Sequence, residues 1–350
     1  MITTIRRYDI DWIRVIAIGL LLIYHIAIGF QPWGIMIGFI ASEKTWGSLW
    51  IPMSMLNVWR IPLLFFVSGM GVYFALQNRN WKQLLADRAG RILVPFIFGI
   101  FVIVPIHLYL WRYYYKMNLI YQPDPGHLWF LGNIFAYVVI LTPLFFYLKN
   151  NENGKFVSFI KKVLSNPLGL IPIIGSFIIE ALILKPYPYE MYARTWHGFF
   201  LGLLAFFFGF CFVLCGDSFW KMILKWRWLF ISLAIVLFAV RMIVFKMNVP
   251  IYMLVAESDC WIFSVFAFGY RYLNHPGKAL NYLSQAAYPV YILHMIFLYL
   301  GAILIFPLNI PAPAQFILLF LFTVAGCFGF YELIVRRMNM VRPLFGLKLK

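Results

Sequence analysis

Charged residues are scarce in this chain. Lysine, arginine, aspartate and glutamate together make up 12% of its 350 residues, whereas hydrophobic residues make up 63%. A soluble domain of this length could not bury so much apolar surface, so the composition excludes a soluble enzyme or binding module. It predicts an all-α, polytopic membrane protein whose helices form one bundle.

Acidic residues and cysteines are scarcer still. The 29 basic residues exceed the 12 acidic ones, but they lie mainly in short loops between apolar segments. That placement favours membrane orientation and lipid contact, and argues against a nucleic-acid partner. The four cysteines show no metal-ligand spacing, so we expect no metal site and interpret them as buried apolar residues. No internal repeat is visible, which weakens the case for a repeat-built transporter.

Ten apolar segments are long enough to span a membrane. The predicted helices lie at about 10–31, 52–77, 91–115, 127–148, 168–184, 195–216, 228–247, 250–271, 282–306 and 312–335. The segment 155–165 is amphipathic, and we expect it to lie on the membrane surface. The first apolar run is too long for a signal peptide and no small-residue cleavage site follows it, so the first helix is expected to be retained.

The loop charges predict that both termini are cytoplasmic. With the N-terminus inside, 20 of the 29 basic residues fall on the cytoplasmic side and eight on the outer side, while Arg14 lies within the first span. This excess supports an even number of spans.

Arg14 and His25 are ionisable residues within the first apolar segment. Eleven residues of α-helix turn through about 1100° and rise about 16 Å, so the two side chains share one stripe at different depths. An ionisable residue inside a membrane costs about 2.5–3.5 kcal/mol and indicates a functional site by default. The pair therefore predicts a path between the two sides of the membrane.

Further polar residues are predicted in the outer half of the membrane, at the depth of His25. They are Arg60 in the second helix, His294 in the ninth, His127 at the start of the fourth, and Glu257 and Asp259 in the eighth. Imidazoles beside carboxylates act as general bases near neutral pH, so their convergence predicts a catalytic centre. Each residue alone also has a structural interpretation, since membrane histidines often serve packing and Arg60 can extend to the interface.

Two other motifs each leave two interpretations open. Arg88 and Arg91 share a face at the start of the third helix, where they form a fork suited to phosphates or an ordinary positive-inside anchor. The small residues in Ser68-Gly-Met-Gly71 predict a close helix crossing or backbone exposed near a ligand.

Taken together, these motifs resemble the signature of the acyltransferase-3 family of transmembrane O-acyltransferases. The matching motifs are Arg14-x10-His25, Phe65-Phe-Val-Ser-Gly69, Arg88-x-x-Arg91 with Pro95, Gly126-His-Leu-Trp-Phe-Leu131 and Tyr288-Pro-Val-Tyr-Ile-Leu-His294. The opening Asp11-Trp-Ile-Arg14 and the run His127-Leu-Trp-Phe-Leu131 are most similar to the branch that contains the periplasmic-glucan succinyltransferase.

The resemblance implies a ten-helix bundle in a bacterial inner membrane, with residues 1–350 as one domain and no fused extracytoplasmic domain. It implies acyl-CoA as a cytoplasmic donor co-substrate, with no permanently bound cofactor. It also implies an extracytoplasmic glycan or similar hydroxyl compound as acceptor. Acetyl, succinyl and longer acyl groups are all compatible with these residues.

The motifs and the resemblance together predict individual roles. His25 is predicted to act as the general base or to carry the acyl group briefly, with Arg60 or His294 stabilising the oxyanion and Glu257 orienting an imidazole. The predicted coenzyme A ligands are Arg14, Arg88 and Arg91. The predicted acceptor contacts are His127, Trp129 and Trp261, although aromatic residues at that depth also belong to interfacial belts.

Two other functional classes stay open. A transporter or flippase of a glycan or lipid-linked substrate would use the buried charges to gate a path, and would favour broken helices at matching places in two halves. A membrane sensor without chemistry would leave Arg14 and the deep histidines poorly explained.

Overall fold

The described part of the chain is helical throughout. The structure is a computed structural model that describes residues 6–77 and 79–349, so Lys350, which contributes to the charge comparison, lies outside the described residues. The helices are α1 Tyr8–Ile28, α2 Trp50–Asn57, α3 Arg60–Leu76, α4 Trp81–Arg88, α5 Val94–Phe98, α6 Val104–Tyr114, α7 Trp129–Asn150, α8 Lys155–Leu164, α9 Ile171–Leu184, α10 Trp196–Leu214, α11 Asp217–Lys225, α12 Arg227–Ile243, α13 Ile251–Tyr272, α14 Lys278–Ile305 and α15 Ala312–Phe330.

The helices confirm the prediction of an all-α, multi-pass membrane protein. Among the described residues, nine helical segments are long and apolar enough to cross a membrane, or ten if α11 and α12 count as one span bent by 58°. The predicted bounds agree to within a few residues for every span but the third. The cytoplasmic placement of both termini stays a prediction.

The third span begins at Trp81, well before the predicted start near residue 91. It continues to Tyr114 through two π-helical segments, Ala89–Leu93 and Gly99–Ile103. Each segment precedes a proline, Pro95 or Pro105. Proline has no N–H and its ring displaces the carbonyl four residues earlier, and a widened turn accommodates both effects. The helix therefore persists where the charged sequence suggested a loop.

The second span is broken between α2 and α3. Pro62 has no N–H to donate to the carbonyl of Val58, which would be its helical partner. That carbonyl instead accepts hydrogen bonds from the hydroxyls of Tyr192, at 3.0 Å, and Ser258, at 2.8 Å. Non-helical backbone at membrane depth needs such internal partners. The proline thus creates an acceptor that two other segments of the chain use.

The contacts divide the chain into two units that interleave along the sequence. The first unit takes in the chain up to Ala17, Asn57–Ala86 and Asn133–Leu280. The second takes in Ile18–Leu56, Asp87–Gly132 and the chain from Asn281 onward. Helix α1 contributes its first part, with Arg14, to the first unit and its second part, with His25, to the second. The prediction of a single domain over residues 1–350 stays a prediction.

The glycines of the second span serve a close helix crossing within the first unit. A Cβ atom on Gly69 would overlap the backbone of Phe206 in α10, and one on Gly209 would overlap the backbone of Phe66 in α3. The two helices therefore approach closely because each presents a glycine. Gly71 faces a different neighbour, since Nη2 of Arg14 lies 3.5 Å from its Cβ position.

The amphipathic segment is helical, as predicted. Helix α8 buries Val157 and Leu164, whereas Phe156 and Phe159 are exposed. Its location on the membrane surface stays a prediction. The four cysteines are buried and reduced, which confirms their interpretation as buried apolar residues.

Candidate functional site

Two imidazoles meet in the second unit. His25, near the end of α1, and His294, in the middle of α14, place Nδ1 and Nε2 respectively 2.8 Å apart. Their rings are stacked, with centroids 5.1 Å apart and an interplanar angle of 14°. His294 is fully buried, whereas His25 is only partly buried. A hydrogen-bonded histidine pair therefore connects a buried imidazole to one that is accessible.

The backbone carbonyl of Tyr291 determines the tautomers of this pair. It lies 2.6 Å from Nδ1 of His294 and can only accept, so that nitrogen carries a proton. In neutral His294, Nε2 then holds the lone pair, and Nδ1 of His25 must donate to it. In the neutral pair, Nε2 of His25 is consequently the basic nitrogen. The protein backbone thus orients a general base through one intervening imidazole.

His127 and a fourth histidine extend the cluster. The ring of His127 packs edge-on against that of His294, with centroids 4.9 Å apart, and its Nε2 lies 3.2 Å from the carbonyl of Ile292. His107 in α6 is buried, with its ring 5.4 Å from that of His127. His107 was not among the predicted site residues, although an ionisable residue within the third span meets the criterion applied to the others.

Gly126 allows His127 to take this position. Its φ of +46° is one that residues with a Cβ rarely adopt, and a Cβ there would lie 2.9 Å from the side chain of Val104. The turn Gly126–Leu128 then leads directly into α7. Among the described residues, no group of three or more histidine, cysteine and acidic side chains has the arrangement of a metal site. The ring nitrogens of the clustered imidazoles can donate and accept protons.

The first unit holds the predicted residues Arg60, Glu257 and Trp261. Arg60 is buried at the start of α3, where Nη2 donates to the side chain of Asn57 at 3.3 Å. Trp261 in α13 stacks on Trp59, with ring centroids 6.5 Å apart. The single predicted cluster of histidines, arginine and acids is thus distributed over two units, with its histidines in the second.

Glu257 has a partner that was not among the predicted site residues. Arg241 of α12 donates from Nη2 to Oε1 of Glu257 at 2.8 Å, and its Nε lies 2.8 Å from Oε2. Both side chains are at most 1% exposed. A bidentate ion pair of this kind satisfies a guanidinium and a carboxylate that would be very costly to bury singly. The expected contact between Glu257 and an imidazole is replaced by this ion pair.

The candidate donor residues also fall in both units. Arg14 in the first unit lies 3.4 Å from Oδ1 of Asp11, one turn earlier in α1. In the second unit, Nε of Arg91 donates to Oδ1 of Asp87 at 3.0 Å, and Arg88 and Arg91 are both partly exposed. Trp129, at the start of α7, is also partly exposed.

Comparison with known proteins gives one match. A family model described as an acyltransferase domain matches residues 7–332, nearly the whole chain. No curated protein and no solved structure matches the sequence. The matched range includes all four clustered histidines and every candidate donor residue.

Proposed function

Because the chain belongs to the acyltransferase-3 family, whose members are membrane O-acyltransferases, we propose that it moves an acyl group from cytoplasmic acyl-CoA to a hydroxyl group of an extracytoplasmic carbohydrate. An acetyl or succinyl group and a bacterial inner membrane are parts of the same proposal. The motifs Asp11-Trp-Ile-Arg14 and His127-Leu-Trp-Phe-Leu131 support a place in the glucan succinyltransferase branch.

The hydrogen bond between His25 and His294 is the observation that carries this proposal. Transfer to an alcohol needs a base that removes the hydroxyl proton while the oxygen attacks the thioester. Nε2 of His25 is that base when Tyr291 and His294 hold the neutral tautomers described above. A proton gained by His25 creates an imidazolium whose Nδ1–H already points at the lone pair of His294. The buried imidazole therefore stabilises the charge as it develops.

The reaction balances without a further reactant. The acceptor oxygen forms a bond to the thioester carbonyl carbon as its proton passes to Nε2 of His25. The C–S bond then breaks, and the departing thiolate takes that proton to give free coenzyme A. Nε2 of His294 faces His25 and its Nδ1 donates to the carbonyl of Tyr291, so we assign His294 to proton sharing in place of the predicted oxyanion role.

The donor is proposed to bind through its phosphates. Arg88 is the last residue of α4 and Arg91 lies within the π-helical segment Ala89–Leu93 that follows it, and guanidinium groups bind phosphates in bidentate geometry. Asp87 holds the Arg91 side chain from one turn away. The parts predicted for Arg14 in donor binding, for Arg60 in stabilising the oxyanion, and for His127, Trp129 and Trp261 in contacting the acceptor stay predictions.

Thioester consumption by purified protein tests the proposal. The protein is reconstituted in lipid nanodiscs, given acetyl-CoA or succinyl-CoA, and assayed for free thiol. Wild-type protein is expected to release coenzyme A, and His25→Ala to lower the rate by about 10²–10⁴-fold, the usual contribution of a general base. His275→Ala, which alters an exposed histidine, is the matched control. A transporter or flippase would release no thiol, and an undiminished His25→Ala rate would exclude His25 as the base.

Mass spectrometry of the envelope polysaccharides identifies the acceptor. Cells that express the wild-type chain are expected to carry an acyl mass on a glycan that is missing from cells expressing His25→Ala. Identical glycan masses in the two strains would exclude a polysaccharide acceptor.

A further inference from the structure

A cavity in the second unit lies where membrane spans end, and the proposed reaction does not use it. Its volume is about 300 Å³, at the lower end of the range of about 300–1,000 Å³ that is typical of small-molecule sites. Its walls are Glu43 and Lys44 in the loop after α1, Tyr114 at the end of α6, and residues 306–309 after α14. The ends of spans lie at the membrane–water interface, so the cavity is interfacial.

A buried glutamine joins two walls of this cavity. Gln315, in α15, is fully buried, and its Nε2 donates to the carbonyls of Phe306 at 3.1 Å and Leu308 at 3.0 Å. Its Oε1 accepts a hydrogen bond from the hydroxyl of Ser42 at 2.8 Å. The loop after α1 and the segment after α14 are therefore held against each other, which fixes the shape of the cavity before a ligand binds.

Lys44 joins the same two walls but keeps its charge. Its Nζ donates to Oδ1 of Asn309 at 2.8 Å and to the carbonyl of Ile310 at 2.9 Å. An ammonium group has three N–H donors, so one of them is left for a ligand. Both acceptors are neutral, and the positive charge of Lys44 is therefore not compensated by the groups that hold it in place.

The neighbouring Glu43 supplies the opposite charge. Its side chain is exposed and makes no hydrogen bond or ion pair with any described residue. The hydrogen bonds of Lys44 hold its ammonium group on Asn309 and Ile310, so the two opposite charges line one cavity without pairing with each other. A ligand with a single charge would leave one of them uncompensated. A zwitterion, which carries both charges, complements the pair.

Exposed apolar side chains adjoin the cavity. Leu308, which lines it, is 46% exposed, and Leu304, near the end of α14, is 59% exposed. At the end of a membrane span such side chains contact the acyl chains of lipids. A zwitterion attached to acyl chains is a phospholipid. The carboxylate of Glu43 accepts hydrogen bonds, which a primary ammonium group donates and a trimethylammonium group, without any N–H, does not.

We propose that this cavity binds the phosphoethanolamine headgroup of a zwitterionic phospholipid. The ammonium group of the lipid donates to the carboxylate of Glu43, and its phosphate accepts the third N–H of Lys44. The acyl chains then lie along the exposed leucines. The loop that supplies both charges also supplies Phe39, whose ring packs on that of His25 with centroids 5.5 Å apart. A bound lipid therefore restrains the same loop that contacts the proposed general base.

Lipid retention measured by native mass spectrometry tests the site without any turnover. The full chain is reconstituted in vesicles that contain equal fractions of phosphatidylethanolamine, phosphatidylcholine and phosphatidylglycerol, and is then released in a mild detergent. Wild-type protein is expected to retain one phosphatidylethanolamine about fivefold more often than either other lipid, the factor that a partly exposed ion pair contributes to affinity. Because no acyl donor is present, failure of the proposed transferase activity leaves this measurement unaffected.

Matched variants assign the retained lipid to the two charges. Glu43→Gln leaves the positive charge of Lys44 in the lining, and is expected to shift the preference to anionic phosphatidylglycerol. Lys44→Gln is expected to lower retention of phosphatidylethanolamine about fivefold, with no gain of phosphatidylglycerol. Lys116→Gln, which alters an exposed cation outside the lining, keeps the wild-type preference.

Three results would overturn the proposal. The first is equal retention of the three lipids by wild-type protein. The second is a wild-type preference in both Glu43→Gln and Lys44→Gln. The third is displacement of the retained lipid by soluble phosphoethanolamine at equal concentration, which would show that the cavity binds the free headgroup and not the lipid.

Discussion

Gly69 and Phe206 lie in contact where α3 crosses α10, and the crossing leaves no room for a side chain on the glycine. The relationship is reciprocal, because Gly209 of α10 meets the backbone of Phe66 in the same way. Between membrane helices the close approach of backbones is a main source of attraction, since lipid offers no hydrophobic driving force. The motif Phe65-Phe-Val-Ser-Gly69 therefore has a structural function in the first unit.

Gly69→Ala is expected to destabilise the protein. The added methyl group must displace the backbone of Phe206, and overpacking of this kind costs about 1–3 kcal/mol. Gly175→Ala in α9 is the control, because its Cβ would meet no atom within 4 Å. Alanine there is expected to be neutral or to stabilise by up to about 1 kcal/mol, as its helix propensity predicts. Thermal unfolding in detergent measures the melting temperatures of both variants. Equal melting temperatures for Gly69→Ala and Gly175→Ala would contradict the close contact between α3 and α10.

His294 is expected to act on kcat through His25. A hydrogen bond to a charged group contributes about 1.5–3 kcal/mol, so His294→Ala should lower kcat about 10- to 150-fold. The KM for acyl-CoA should change little. His294→Gln places an amide oxygen near the position of Nε2, and should restore part of kcat by accepting from Nδ1 of His25. Steady-state kinetics of the two variants measure these effects. A His294→Ala effect confined to KM would contradict the assignment of His294 to proton sharing with His25.

Arg88 and Arg91 are expected to determine the affinity for the donor. Replacing both by alanine should weaken coenzyme A binding and reduce its dependence on salt, because guanidinium–phosphate attraction is screened by ions. Lys82→Ala, an exposed cation in the same span, is the control. Calorimetric titration at two ionic strengths measures the effect. Unchanged affinity in Arg88→Ala and Arg91→Ala would leave positive-inside anchoring as their role.

Glu257 is expected to affect stability through Arg241. Glu257→Ala leaves the guanidinium of Arg241 buried without its bidentate partner, which should cost about 3–5 kcal/mol. Replacing the pair together, with Arg241→Met and Glu257→Leu, should cost much less because no uncompensated charge remains. A double-mutant cycle on unfolding free energies tests this coupling. Additive losses in the cycle would show that Glu257 acts independently of Arg241.

Composition and hydropathy were sufficient to predict the helical membrane fold. A chain with 63% hydrophobic residues can satisfy its backbone in few ways other than as membrane-spanning helices. The length of each apolar run then determined the approximate bounds of the spans. The third span was the exception. Its charged start, around Arg88 and Arg91, looks like a loop, but π-helical turns carry the helix from Trp81 past both prolines.

The sequence also identified three of the four clustered histidines, but it did not show how they are paired. His25, His127 and His294 were predicted because each is ionisable within or beside an apolar span, and His107 met the same criterion without being noticed.

The sequence by itself determined that the chain spans a membrane and that Arg14 and His25 share one stripe of a single helix, because hydropathy and helical period depend only on neighbouring residues. Tertiary structure decided which side chains meet. His25 and His294 are 269 positions apart, and Arg241 and Glu257 lie on successive helices. Such contacts depend on the rotation of each helix about its own axis, which close packing against other helices determines and no local pattern encodes.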